Sequence, residues 1–132
     1  MTAETTPADA PSKASGSKTV DLRDVVKAVL SGDALAARQW VLDARGVDWT
    51  RVPRPTDLRE DELALAAALV ELLAERSGQA APAWTAQVGP AHAPLCLLRG
   101  AGPRLRKRLE LESPEPMRRR NLFAPSDYLR MD

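Results

Sequence analysis

Chemistry-bearing side chains are scarce in this 132-residue chain, which holds one histidine, one cysteine and only five aromatic residues, three of them tryptophan. A lone cysteine excludes an internal disulfide and a cysteine-rich metal site, and Cys96 in "PLCLL" reads as a small buried hydrophobe. His92 in "GPAHAPL" has no second ring with which to share a metal, and neither H-E-x-x-H nor G-x-S-x-G occurs. The glycines of "SGDA" and "RGAGP" lack the lysine or the spaced third glycine of a phosphate cradle, so both read as turns. The acidic run Glu60, Asp61, Glu62 spreads over different faces of a helix start, where the dipole favours acids, and reads as solvated first turn. The longest apolar stretch, "LALAAALVELLA" from Leu63, is broken by Glu71 and falls far short of the roughly 20 residues that span a bilayer. The expectation is a non-enzyme with no catalytic residues, no cofactor, no metal and no membrane partner, most simply cytoplasmic.

What remains is a chain built for one small helical domain. Its apolar content is 44%, enough for a single core at this length. Residues 1–18, "MTAETTPADAPSKASGSK", have no apolar segment of the kind a secretory signal needs and read as a disordered leader; residues 19–132 form the domain. Leu22, Val25, Val26 and Val29 share one helical face, with Gly32 placed to end the helix and Asp33 to cap the next. That second helix, "DALAARQWVLDARG", puts Leu35, Ala36, Trp40 and Val41 on one flank and completes an αα-hairpin. Prolines 53 and 55 make "VDWTRVPRPTD" an extended connector, tied down by Trp49 and Val52.

The strongest helix signal is "DLREDELALAAALVELLAERSG", with Asp57 and Glu60 at capping-box spacing, acids first, Arg76 last and Gly78 as the stop. Its Leu65, Ala66, Leu69, Val70, Leu72 and Leu73 form a stripe wide enough to be covered from two sides. From about residue 79 the chain turns irregular, with four prolines and three glycines up to Pro103 and a short strand expected at Leu95–Leu98. "PRLRKRLELE" predicts a last short helix from Pro103, apolar only at Leu105 and Leu109. The predicted fold class is mainly α: three to four helices with an irregular Pro/Arg-rich carboxyl-terminal third.

Charge is segregated. Residues 19–98 carry eight Lys/Arg against eleven Asp/Glu, and residues 99–132 carry nine against five. "RLRKR" and "RRR" place seven cations within seventeen positions, suited either to phosphates, with steep salt dependence, or to the carboxylates of a protein partner or of the chain's own acidic body. The hairpin turn is short enough for a helix-turn-helix, but its second helix offers only Arg38, Gln39 and Arg45 beyond the packing face, so nucleic acid is the alternative partner and protein the first. Among the tryptophans, Trp40 reads as core, while Trp84 in "APAWTAQ" reads as a loop anchor or a partner-binding residue.

The run "PAWTAQVGP…PLCLLRGAGPRLRKRLELESPEPMRRRNLFAPSDYL", Pro82 to Leu129, resembles the tails of small bacterial proteins that share a Trp-Thr-Ala near a Gly-Pro, then Ser-Pro-x-Pro, Arg-Arg-Asn and an apolar-aromatic ending. Some of these look like antitoxin components encoded beside nucleotidyltransferase-like toxins, and the helix-turn-helix domain often fused to them has no counterpart here. The resemblance implies that Trp84, Pro114, Pro116, Arg118, Arg119, Arg120, Asn121 and Phe123 form a shared element, and that the role is neutralising a toxin from a neighbouring gene by protein contact. The partner-binding residues it selects are Trp84, Arg118, Arg119, Arg120, Asn121 and Phe123. A second use of the same residues stays open, namely locking the tail onto the helical body.

Overall fold

Asp21 opens the first helix, its carboxylate accepting the Arg23 backbone N–H at 3.0 Å and so satisfying one of the donors a helix start leaves unpaired. In the computed structural model, which describes residues 20–98 and 100–130, this helix (α1) spans Leu22–Ser31 and buries Leu22, Val25, Val26, Ala28 and Val29. The leader expected at 1–18 lies outside the described residues. Gly32, at φ 78°, closes α1 with its N–H on the carbonyls of Ala28 and Val29, a left-handed position that suits glycine. Asp33 then caps α2, Ala34–Asp43, by accepting the Ala36 N–H at 3.0 Å.

The buried flank of α2 differs from the sequence expectation. Leu35 is 79% exposed and Ala36 is also outside. The seam runs instead through Ala37, Trp40, Val41 and Ala44, the i, i+3, i+4, i+7 set centred on small residues. Alanine lets α2 approach α1 closely, and the helix rotates to use it.

After α2 the connector enters a short 3-10 turn, Trp49–Arg51, and is held as its apolar residues suggested. Trp49 and Val52 are buried. The Trp49 N–H donates to Gln79 Oε1 at 2.7 Å, the Trp84 indole N–H donates to the Val52 carbonyl at 2.8 Å, and Trp40 lies tilted against Trp49 with ring centroids 6.3 Å apart.

The central element is α3, Glu60–Arg76, whose residues Ala64 to Val70 are buried without interruption. Its cap lies two residues later than the expected one at Asp57: Asp57 takes a left-handed conformation (φ 62°), and the Arg59 N–H donates to Glu62 Oε1 at 2.8 Å. The box geometry thus sits at 59 and 62, because the chain must still turn away from the connector at 57. Leu65 and Leu69 are fully buried, and each such side chain contributes roughly 1.5–3 kcal/mol of transfer free energy.

The carboxyl-terminal third is more regular than its composition implied. A 3-10 turn at Ala83–Gln87 leads to β1, Leu95–Cys96, which pairs in parallel with β2, Leu122–Phe123, in the register Leu95 to Leu122 and Cys96 to Phe123. The crossover between them carries α4, Pro103–Glu112, as "PRLRKRLELE" predicted, and a single-turn helix α5, Glu115–Arg118. Pro114 stands at the cap of α5 and Pro116 in its first turn, positions where no intrahelical N–H is needed, so two prolines that break a long helix start a short one. Met117, Leu122 and Ala124 are fully buried and belong to the same apolar cluster as α1 and α3. The tail is core.

Candidate functional site

The arginine triplet splits three ways because α5 and the turn after it point successive residues in different directions. Arg120 goes in. It is 3% exposed, and its guanidinium meets Glu71 of α3 with two parallel bonds, Nη1 to Oε1 at 2.6 Å and Nη2 to Oε2 at 3.0 Å. The remaining N–H groups donate to the carbonyls of Val88 (3.3 Å), Pro116 (3.0 Å) and Thr85 (2.8 Å), so all five donors of the fork are used. Glu71, whose side chain is 10% exposed, also receives Arg119. Burial pushes the Glu71 carboxyl up, but the hydrogen bonds and charge of Arg120, aided by Arg119, hold it below the usual range.

The other residues singled out in the sequence are largely engaged inside the chain as well. Arg119 sits at the rim, paired with Glu71 and, at 3.0 Å, with Glu115. Asn121 takes φ 64°, a conformation asparagine tolerates, and donates from Nδ2 to the Ala91 carbonyl at 3.1 Å. Phe123 is half-buried in β2, and half-buried Trp84 clamps the connector. Arg118 remains exposed, its Nη1 donating to the Leu111 carbonyl at the end of α4 at 3.0 Å. The structure therefore gathers Glu71, Arg119, Arg120 and Asn121 around α5. In the sequence Glu71 shows only as an interruption of an apolar run, since nothing local marks a carboxylate that is met 49 positions later.

What the tail presents outward is α4. Leu105 and Leu109 face the body, and Ser113, buried at the helix end, donates to the Leu109 carbonyl while its Oγ accepts the Ala124 N–H at 3.0 Å. Arg104, Arg106, Lys107 and Arg108 are exposed, and Leu111 is 74% exposed. Arg108 pairs with Glu112 at 3.2 Å; Arg104, Arg106 and Lys107 make no ion pair among the described residues. By helical spacing Arg104, Lys107, Arg108 and Leu111 share one face, with Arg118 anchored at its end.

Several hollows flank the body, and two of them border the core. One, about 420 Å³, lies beside Trp49, Leu73, Gln79 and Leu129; the other, about 410 Å³, lies between the α1–α2 turn and Leu97, Leu98 and Tyr128. Burial pushes the Tyr128 hydroxyl up to about 12. His92 is exposed and uses its backbone N–H to reach Asp61 Oδ1 at 2.8 Å, while Cys96 is half-buried with its thiol 3.5 Å from the Leu98 carbonyl. Among the described residues no three His, Cys, Asp or Glu side chains are grouped to hold a metal ion, and no helix is long and apolar enough to cross a membrane. Comparison with protein-family models, with curated proteins and with solved structures gives no match to this chain.

Proposed function

We propose that this chain is a non-enzymatic protein-interaction subunit, antitoxin-like or adaptor in kind, that binds a partner protein through its Pro/Arg-rich carboxyl-terminal segment. The observation that supports it is the division of labour in that segment. Arg120 and Glu71 lock the segment to α3, and a rigid cationic surface is left standing in water. A surface held this way loses little conformational entropy when a partner binds, which favours recognition of a folded protein.

The test is co-expression of the full chain with the product of the neighbouring gene. Co-purification as a stoichiometric complex, with relief of any growth arrest that product causes, is the expected result. Failure to form a complex at micromolar concentrations, together with no relief of arrest, overturns the antitoxin-like reading. Removing residues 99–132 is not an informative control, since it removes Met117, Arg120 and Leu122 from the core.

A further inference from the structure

The charges of α4 run against its own dipole. Helix starts favour acids and helix ends favour cations, yet α4 has no acid in its first turn and no base in its last. Arg104, Arg106, Lys107 and Arg108 all precede Glu110 and Glu112 along it. Even its internal ion pair has the weaker order, with Arg108 preceding Glu112. The helix dipole gains nothing from this arrangement, and Arg104 and Lys107 have no ion-pair partner among the described residues. Leu111, the most exposed large apolar side chain of the carboxyl-terminal third, projects on the same face.

We propose that the outer face of α4 is the docking site for an acidic helical segment of a partner protein, whose carboxylates pair with Arg104, Lys107, Arg108 and Arg118 around an apolar contact at Leu111. This rests on the reading of the chain as a protein-interaction subunit and names the surface and the chemistry of the partner. Charge complementarity selects the occupant. The cations three and four positions apart match carboxylates at the same spacing on a facing helix, and arginine forks bind carboxylates in two-bond geometry. Leu111 stands exposed among the cations, where an acidic helix with an apolar stripe can cover it and a phosphate backbone cannot, and one exposed leucine on a ten-residue helix gives too little apolar area to hold a lipid surface. On a second copy the exposed acids of α3 are split between its two ends, Glu60 and Asp61 at the start and Glu75 near the finish of a seventeen-residue helix, so they offer no row of carboxylates at the spacing of the α4 cations.

The probe is a fluorescein-labelled sixteen-residue helical peptide of Glu and Ala with a leucine stripe, titrated with the full chain and followed by anisotropy. Since facing like charges cost several kcal/mol and each 1.4 kcal/mol is a factor of ten, Arg104→Glu with Lys107→Glu is expected to weaken binding by about 10-fold or more. Leu111→Ala is expected to weaken it by roughly 3-fold with the salt dependence unchanged, and Arg54→Glu, a reversal at an exposed connector arginine, by less than about 2-fold. Thermal melts of each variant establish that the fold is retained. Equal binding by the double reversal, or an equal loss in Arg54→Glu, overturns the proposal. So does tighter binding of a twenty-base-pair DNA duplex or of phosphatidylserine vesicles than of the peptide, or self-association that the double reversal abolishes. If the neighbouring gene product forms a complex that the double reversal leaves intact, the α4 assignment fails while the interaction role stands. If the peptide binds through α4 but that gene product does not, the antitoxin-like reading fails and the docking surface stands.

Discussion

Helices α3 and α4 are both made of leucine and charge, and they solve opposite problems. In α3 the acids Glu60, Asp61 and Glu62 open the helix and Arg76 closes it, so its charges agree with the dipole, and seven consecutive residues from Ala64 are buried. In α4 the order is reversed and only Leu109 is fully buried. Charges in α3 are accounted for by the helix that carries them and by Glu71, which takes in Arg120. Those in α4 are not, which is why its outer face is where a partner is sought. A second contrast lies within the triplet, where Arg120 is spent on structure and Arg118 is left in water.

The sharpest way to break these contrasts is Arg120→Ala. It leaves a largely buried carboxylate with only the rim residue Arg119 as its ion-pair partner and strands three carbonyls, and removing one partner of a buried pair costs about 3–5 kcal/mol, a large part of a small domain's stability. Arg118→Ala is expected within about 0.5 kcal/mol of the parent by urea denaturation. Replacing both buried partners, Glu71→Leu with Arg120→Met, is expected to be less damaging than Arg120→Ala alone, and the opposite order would show that the pair itself is a net source of stability.

Acid titration gives the next largest effect. Because the folded-state Glu71 pKa is depressed, the unfolded chain takes up the proton first as pH falls. The stabilisation is complete above the ordinary glutamate value near ~4.3 and is lost as pH drops through the folded pKa. Urea midpoints measured between neutral pH and pH 3 are expected to fall steeply for the parent and less steeply for Glu71→Gln. Equal slopes would place the acid sensitivity elsewhere.

Trp84→Phe removes the indole bond to the Val52 carbonyl while keeping most of the ring, for an expected loss of about 1 kcal/mol. A larger loss would give the connector clamp more weight than one hydrogen bond. The smallest effect has the opposite sign. Arg104→Glu places an acid in the first turn of α4 and is expected to raise stability by roughly 0.3–1 kcal/mol. A gain in the urea midpoint together with weaker peptide binding separates what α4 needs for folding from what it presents outward.

Much of the fold was legible because it depends on local rules. The valine face of α1, the stop at Gly32, the Asp33 cap and the Pro103 start of α4 follow from period and capping chemistry, which act over four residues. The buried flank of α2 was misread because Leu35 outranks Ala37 in hydrophobicity, while close helix approach favours the smaller side chain. β2 was missed because two residues carry no period. The candidate site was legible only as a motif. "RRR" shows three equal arginines, and nothing in their spacing says which one turns inward.

By itself the sequence determined where the longer helices run, how the acids and bases divide between body and tail, and that the stretch "SPEPMRRRNLFAP" sets an arginine triplet among three prolines. The tertiary structure alone decided that this stretch is core, that Arg120 bonds Glu71, and that α4 carries the exposed cations. The reason is physical. Periodicity and caps are properties of neighbours in the chain, whereas the choice of which charge to bury depends on a partner 49 positions away, and that partner exists only once α3 and α5 have packed.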